Sequence, residues 1–320
     1  MSLIQRQHGD DWIRDMLTEV PHTKVGFART NGIDIAYDTF GLPGDEPVLL
    51  IMGLSSQMIL WEDDFCRGLA GRGFHVIRFD NRDVGMSTKI TEAGMPHIHA
   101  LLMGKIALAP YTLADMAKDV SGLLDALGIG KAHVVGASMG GMIGQVMALT
   151  YPHRLKTLTS IMSTTGNPLL PPPRQEAMEI LFRPIPIDRQ GYVAYFKDVW
   201  RILSGPRFPM DDLKSTELGE TSYTRGVDAA GNARQLAAII ASGSRKEMLA
   251  LVKTPTLVIH GTHDPLVPVE CGEDTAQSIP GARLMIMDGM GHSLPFQLWP
   301  EIISAIQDHV SRHGGSQKNP

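Results

Sequence analysis

The sequence predicts an α/β fold in which helices cover both faces of a mostly parallel sheet. Strand-like runs alternate with segments of helical periodicity along most of the chain. The run "PVLLIM" is apolar throughout, which is typical of a strand buried on both faces. The alternation stops from residue 163 to residue 253, where a proline cluster and several helix-like segments predict an inserted helical segment.

The individual elements follow from local patterns. The strand-like runs "KVGFAR" and "IDIAYDTF" flank Asn31-Gly32, a strong hairpin signal. Helices are predicted at residues 61–70, from Leu113 to Leu127 and near Gln297 to His309. Further strands are predicted at "HVIRFD", in the apolar run that ends at Gly136, and at "LKTLTSIM", "TPTLVIHG" and "ARLMIMDG".

These elements predict an α/β core over residues 23–162 and 254–313, with a helical cap over residues 163–253. Residues 1–22 are expected to form an extension with a short amphipathic helix. Its apolar positions recur at helical spacing: Trp12, Ile13, Met16, Leu17 and Val20. Packing of this helix against the body is the favoured interpretation, and an arm that contacts a second subunit is the alternative. A homo-oligomer is therefore left open.

Composition excludes several classes of protein. The 320 residues carry a formal net charge of -5 and no basic stripe, which argues against a nucleic-acid partner. Cys66 and Cys271 are too few for a disulfide framework or a Cys-His metal site. No apolar run reaches membrane-spanning length, and the first residues lack a leader pattern. We expect a cytoplasmic protein that needs no metal and no organic cofactor.

A serine stands between glycines where a strand is expected to pass into a helix, in Gly136-Ala137-Ser138-Met139-Gly140. Gly-x-Ser-x-Gly in this position matches a nucleophile elbow, a tight turn that presents the hydroxyl above the sheet edge. The two glycines allow the strand and the helix to approach closely. Ser138 would then lie at a helix N-terminus, where backbone N–H groups favour developing negative charge.

A serine nucleophile needs a base and an orienting acid, and in this fold the chain order is serine, acid, histidine. Asp264 directly follows the predicted strand "TLVIHG", and His292 lies in the glycine-rich loop "MIMDGMGHSLP". Both positions fall at carboxyl ends of strands, where ligand-binding residues gather. Asp288 is a rival acid only four residues from His292, and we interpret it as a residue that stabilises its turn.

The oxyanion hole of such a site requires two backbone N–H groups. One is expected from Met139, directly after the serine. The other is expected from the loop after "PVLLIM", where Leu54 N–H is the candidate and Gly53 permits the sharp turn.

Five segments together resemble the capped α/β-hydrolase superfamily. They are "VLLIMGLSSQMILW", "HVIRFDNRDVGMST", "VVGASMGG", "TLVIHGTHDPLVP" and "GMGHSLP". Among its branches the chain most resembles the aclacinomycin methylesterase-like proteins, and more weakly the proline iminopeptidases and cofactor-free haloperoxidases. The resemblance implies Ser138 as nucleophile, His292 as base, Asp264 as acid and a lid made by the inserted helices.

The chain departs from the family pattern at two places. Met52-Gly53 stands where many relatives have His-Gly, and Asp83 replaces a glycine of the usual Asp-x-Arg-Gly-x-Gly-x-Ser. The charges of the loop from Asp80 to Ser87 are expected to hold that loop together. The insertion at residues 90–112 is apolar for a loop, and we expect it to line the entrance of the site.

These patterns predict a serine hydrolase that cleaves small-molecule carboxylic esters with hydrophobic groups through an acyl-enzyme. Three alternatives stay open. In the first, the same triad serves acyl transfer or perhydrolysis. In the second, it hydrolyses amides, lactones or C–C bonds, and in the third the protein is a ligand receptor on a hydrolase scaffold.

Overall fold

The computed structural model describes residues 20–313, in which eight strands form one sheet. The strands are β1 (Gly26–Thr30), β2 (Ile33–Phe40), β3 (Glu46–Ile51), β4 (Phe74–Phe79), β5 (Ala132–Ala137), β6 (Leu155–Ile161), β7 (Thr256–Gly261) and β8 (Arg283–Met287). Their order is β1-β2-β4-β3-β5-β6-β7-β8. The pairs β1–β2 and β2–β4 are antiparallel, and all other pairs are parallel.

Eleven α-helices accompany the sheet in the described part of the chain. They are α1 (Asp63–Ala70), α2 (Ile98–Leu102), α3 (Leu113–Ala126), α4 (Met139–Thr150), α5 (Gln175–Phe182), α6 (Arg189–Leu203), α7 (Asp212–Arg225), α8 (Ala229–Ser242), α9 (Lys246–Leu249), α10 (Val269–Ser278) and α11 (Trp299–His313). Within residues 20–313, none of these helices combines the length and apolar character needed to cross a membrane. The helix predicted from Trp12 onward lies outside the described residues.

The predicted hairpin between β1 and β2 is present. Asn31 and Gly32 have φ values of 48° and 81°, the left-handed backbone that a two-residue turn between twisted strands requires. Thr30 pairs directly with Ile33 across this turn. The Asn-Gly dipeptide therefore sets the register of the antiparallel edge of the sheet.

The sheet is buried on both faces, as the apolar run of β3 predicts. Leu49 and Ile51 belong to a core cluster with residues of α3 and α4. Val48 and Leu50 belong to a second cluster with residues of α1 and α11. All four side chains are fully buried. The predicted fold class, a mostly parallel sheet with helices on both faces, is confirmed.

Helices α5 to α9 lie between β6 and β7, within residues 163–253, which we call the inserted segment. Three of its buried side chains, Tyr192, Phe196 and Leu218, form a small apolar cluster of their own. Because β6 and β7 are neighbours in the sheet, the segment leaves and re-enters the core without interrupting strand pairing.

The apolar insertion at residues 90–112 contains the short helix α2 and two single 3₁₀ turns. Five of its large apolar side chains are exposed: Met95, Leu102, Met103, Ile106 and Leu108. In the described part of the chain, this insertion contributes no side chain to the wall of the cavity described below, contrary to our expectation for the entrance.

The turn between β5 and α4 depends on two glycines. A Cβ on Gly136 would overlap the carbonyl oxygen of Gly140, and a Cβ on Gly140 would overlap the carbonyl oxygen of Ile51. Backbone atoms cannot yield as the end of a flexible side chain can. Both positions therefore require glycine, and the absence of side chains there lets the start of α4 pack directly against the ends of β5 and β3.

We expect Gly136→Ala to lower the free energy of unfolding by about 1–3 kcal/mol, the usual cost of overpacking. Gly130→Ala is the matched control, since nothing lies within 4 Å of a Cβ at Gly130. It should change stability by less than about 0.5 kcal/mol. Urea titration of both variants measures the difference, and equal stability would contradict the proposed steric role of Gly136.

Candidate active site

Ser138 occupies the turn between β5 and α4 with a backbone that few non-glycine residues adopt. Its φ and ψ are 54° and -118°. Such a conformation costs on the order of 1–3 kcal/mol and must be held by its surroundings. Ser138 N–H donates to Ile161 O at 2.9 Å, and Ser138 O accepts from Ser163 Oγ at 2.8 Å. The sheet thus fixes the turn from the neighbouring strand β6.

The structure brings Ser138, His292 and Asp264 into one chain of hydrogen bonds. His292 Nε2 lies 3.0 Å from Ser138 Oγ, and His292 Nδ1 lies 2.6 Å from Asp264 Oδ2. A carboxylate only accepts, so Nδ1 carries the proton and Nε2 can accept from the serine hydroxyl. The second oxygen, Asp264 Oδ1, accepts from the N–H groups of Leu266 and Val267 at 2.9 and 2.8 Å. The carboxylate is therefore held at both oxygens.

The rival acid, Asp288, lies elsewhere. Its carboxylate pairs with Arg207 and accepts from Thr262 Oγ1 at 3.4 Å, and its side chain is 76% exposed. The Asp264 side chain is fully buried against the imidazole. The structure therefore directs Asp264 to His292 and leaves Asp288 to stabilise its turn.

A buried histidine supports the turn that carries Asp264. His260, in β7, donates from Nε2 to Val267 O at 2.8 Å, and the same nitrogen lies 3.6 Å from Asp264 Oδ2. Burial lowers the pKa of His260 and so favours its neutral form. Sequence reasoning did not single out this residue, although its place at the end of the strand "TLVIHG" was an available signal.

The loop that carries His292 rests on the inserted segment. His292 N–H donates to the carbonyl of Leu203, the last residue of α6, at 2.7 Å. A Cβ on Gly291 would overlap the carbonyl oxygens of Leu203 and Ser204. The glycine thus lets the histidine loop lie directly on the end of α6, so an element far away in sequence helps to place the imidazole.

The two N–H groups predicted for an oxyanion hole flank the serine. Met139 is the first residue of α4, where N–H groups lack partners within the helix. Gly53 packs beside the serine, since its Cβ would lie 3.1 Å from Ser138 Cβ, and Leu54 follows it. Within residues 20–313, neither Leu54 N–H nor Met139 N–H donates a hydrogen bond outside regular secondary structure. Leu54 lines the cavity described next, and Met139 is fully buried.

A cavity of about 140 Å³ opens over Ser138 and His292. Much of its wall comes from apolar and aromatic side chains of the inserted segment, including Ile180, Leu181, Ile185, Tyr195, Phe196 and Trp200. Ser55, Gln57, Asp228 and Asn232 are among the polar residues that also line the cavity. The cavity therefore combines the Ser138 hydroxyl and the His292 imidazole with a largely apolar wall.

The loop from Asp80 to Ser87 is held by its charges, as the sequence predicts. Asp80 accepts from Met58 N–H at 2.7 Å and Met86 N–H at 2.8 Å. Asp83 has a φ of 70°, a left-handed backbone conformation that glycine adopts more readily than aspartate. Its carboxylate accepts from Tyr111 Oη at 2.6 Å. Three residues of this loop, Asp83, Val84 and Gly85, also line the cavity.

The same loop also binds the inserted segment, which sequence reasoning missed. Arg225 of α7 pairs with Asp80 at 2.6 Å. Arg234 of α8 donates to both oxygens of Asp83, at 2.9 and 2.7 Å, and the side chains of this pair are almost fully buried. No motif marks these arginines, because their partners lie far away along the chain.

No three His, Cys, Asp or Glu side chains among residues 20–313 are grouped so that they could hold a metal ion.

Comparison with known proteins defines the family. The model of the alpha/beta hydrolase fold matches residues 46–297. Rhodomycin D methylesterase DauP of Streptomyces sp. (strain C5) is 32% identical over 297 residues, covering 84% of this chain and 92% of that protein. The putative carbamate hydrolase RutD of Yersinia enterocolitica is 27% identical over 259 residues, covering 79% of this chain and 82% of that protein.

Among solved structures, a hydrolase from Pseudomonas aeruginosa PA01 superposes with a TM-score of 0.66 at 27% identity, covering 92% of this chain and 99% of that chain. This protein belongs to the α/β-hydrolase fold family. The predicted resemblance to its methylesterase branch is confirmed by the similarity to the rhodomycin D methylesterase.

Proposed function

We propose that the protein is a serine hydrolase that cleaves small-molecule carboxylic esters through an acyl-enzyme. The single observation that carries this proposal is the chain of hydrogen bonds from Ser138 through His292 to Asp264 at the floor of the cavity. Membership of the hydrolase family and the similarity to a methylesterase support it.

In the proposed first step, Ser138 Oγ attacks the ester carbonyl while His292 Nε2 takes the hydroxyl proton. The C–O bond to the leaving alcohol then breaks, and the alcohol receives that proton from His292. Water attacks the acyl-enzyme with the same histidine as base, which releases the acid and restores Ser138. Asp264 orients the imidazole and stabilises its protonated form without taking the proton.

The negative charge that develops on the carbonyl oxygen needs donors that are already in place. We assign Leu54 N–H and Met139 N–H to this role, with the dipole of α4 adding to the attraction. Because both donors belong to the backbone, the replacement of His-Gly by Met52-Gly53 removes no donor from the hole.

We further propose that residues 163–253 form a cap over this site and select hydrophobic esters. Six of the apolar cavity residues named above come from α5, α6 and the chain between them. The similarity to a methylesterase supports a small alcohol as leaving group, so the apolar wall would receive the acyl part. The core would lie at 23–162 and 254–313, with residues 1–22 as an extension.

Removing the nucleophile tests the proposed function. Ser138→Ala should lower kcat by about a million-fold, because the three side chains act as a unit. Ester hydrolysis and labelling by a fluorophosphonate probe are measured on the purified wild type and variant. The wild type should be labelled and the variant should not. Absence of labelling in an active wild type, or wild-type turnover by the variant, would overturn the assignment of Ser138.

The two nearby carboxylates provide a matched pair of variants. Asp264→Asn should leave the fold intact but favour the wrong tautomer of His292, lowering kcat by roughly ten-thousand-fold, as in the serine-protease triad. Asp288→Asn should change kcat little, since its carboxylate is bound to Arg207 and Thr262. Steady-state kinetics with circular dichroism compares them. The reverse pattern would assign the acid to Asp288.

An ester series tests the hydrophobic preference. From p-nitrophenyl acetate to butyrate to hexanoate, kcat/KM should rise, by at most about fourfold for each methylene that becomes fully buried. The reaction of each ester with hydroxide provides the correction for intrinsic reactivity. A corrected kcat/KM that falls steadily with chain length would contradict an apolar acyl pocket.

A further inference from the structure

The turn that follows β3 is held by a side chain of the inserted segment. Ser55 has a φ of 59°, a left-handed backbone that is unfavourable for serine. Its N–H donates to Oε1 of Gln235, in α8, at 2.8 Å. Ser55 Oγ donates to Oδ1 of Asn232, one helical turn earlier. An unfavourable backbone conformation beside the candidate oxyanion hole is therefore stabilised from outside the core.

Gln235 is placed so that its amide cannot turn freely. The residue is fully buried, and its Nε2 donates to the carbonyl of Arg82 at 2.7 Å while Oε1 faces Ser55. A flipped amide would set its NH₂ group against Ser55 N–H and its oxygen against Arg82 O. Both hydrogen bonds would be lost in a buried place, which is costly. Gln235 thus joins the loop after β3 to the loop after β4.

The helix that presents Gln235 is itself fixed to the core. The preceding residue, Arg234, pairs with Asp83 through two hydrogen bonds and with Asp228 at 2.8 Å. Asp228 in turn caps α8 by accepting from Ala230 N–H at 3.0 Å. The buried ion pair therefore attaches this part of α8 to the loop between β4 and α2.

Leu54 lies between two fixed points. On one side, Gly53 packs against Ser138. On the other, the peptide that joins Leu54 to Ser55 is held by Gln235. Contacts on both sides therefore restrict the rotation of the peptide that carries Leu54 N–H. A catalytic donor displaced by as little as 1 Å loses much of its effect.

We propose that Gln235 is a positioning residue for the oxyanion hole, through which the inserted segment keeps Leu54 N–H aimed at the reacting carbonyl oxygen. This inference rests on the proposed function, because it concerns the oxyanion hole of that reaction. It also means that the inserted segment must stay docked on the core during the chemical steps, since undocking would release the turn.

The experiment compares three variants. Gln235→Met removes both hydrogen bonds at similar volume. Gln235→Glu keeps an acceptor for Ser55 N–H but has no donor for the Arg82 carbonyl when ionised. Gln145→Met is the control, because Gln145 is also fully buried and accepts a hydrogen bond from Arg245 Nε at 3.0 Å, but among the described residues its side chain forms no hydrogen bond with the turn.

Gln235→Met should lower kcat about ten- to a hundred-fold, less than the hundred- to thousand-fold cost of deleting one donor outright. KM should change less than about twofold, because the donor acts mainly in the transition state. Affinity for a trifluoromethyl ketone, which forms a tetrahedral adduct with the serine, should fall in parallel with kcat. Gln235→Glu should retain more activity than Gln235→Met, and Gln145→Met should lower Tm at unchanged kcat.

Unchanged kcat and ketone affinity in folded Gln235→Met would overturn the proposal. So would equal losses in the Met and Glu variants, because both lack the donor to the Arg82 carbonyl and the effect would then not depend on the hydrogen bond from Ser55 N–H. If Gln235→Met does not fold, Gln235→Asn, whose amide is withdrawn by one methylene, carries the same expectations. A wild type that neither hydrolyses esters nor reacts with the ketone would instead refute the proposed function.

Discussion

The whole site depends on one tight turn, in which β5 ends and α4 begins at Ser138. The turn can form only because Gly136, Gly140 and Gly53 have no side chains where backbone atoms or the serine itself pass. The same close packing that exposes the hydroxyl also brings the end of β3 against the start of α4. The positions of the serine and of the two proposed oxyanion donors therefore follow from the same close packing of backbone.

The inserted segment takes part in this arrangement beyond covering the cavity. It holds the histidine loop through the carbonyl of Leu203 and the turn after β3 through Gln235. The buried pair of Arg234 and Asp83 fixes α8 to the core. A buried ion pair contributes little net stability because both charges lose their hydration. We infer that its main effect is to define how the segment docks, since a shifted helix would leave both charges unpaired.

Much of the fold and of the candidate site was predictable because the relevant signals are local. The apolar run of β3, the hairpin at Asn31-Gly32 and the glycines around Ser138 each act within a few residues. Ser138, Asp264 and His292 could be grouped from the sequence because each follows a predicted strand, and the carboxyl ends of parallel strands meet at one edge of a sheet. We expected residues 90–112 to line the entrance, but within the described part of the chain they contribute no side chain to the wall of the cavity. The composition of a loop does not indicate the direction in which the loop packs.

The sequence by itself determined the strands, the helices and the turn at Ser138, since hydrophobic periodicity and the absence of a Cβ act along the chain. Only the tertiary structure decided which distant groups meet: Ser55 with Gln235 across 180 positions, and Asp83 with Arg234 across 151. It also placed Asp264 rather than Asp288 against His292. These pairings have no sequence pattern, because a hydrogen bond between distant residues depends on how α8 and the strand ends pack in space.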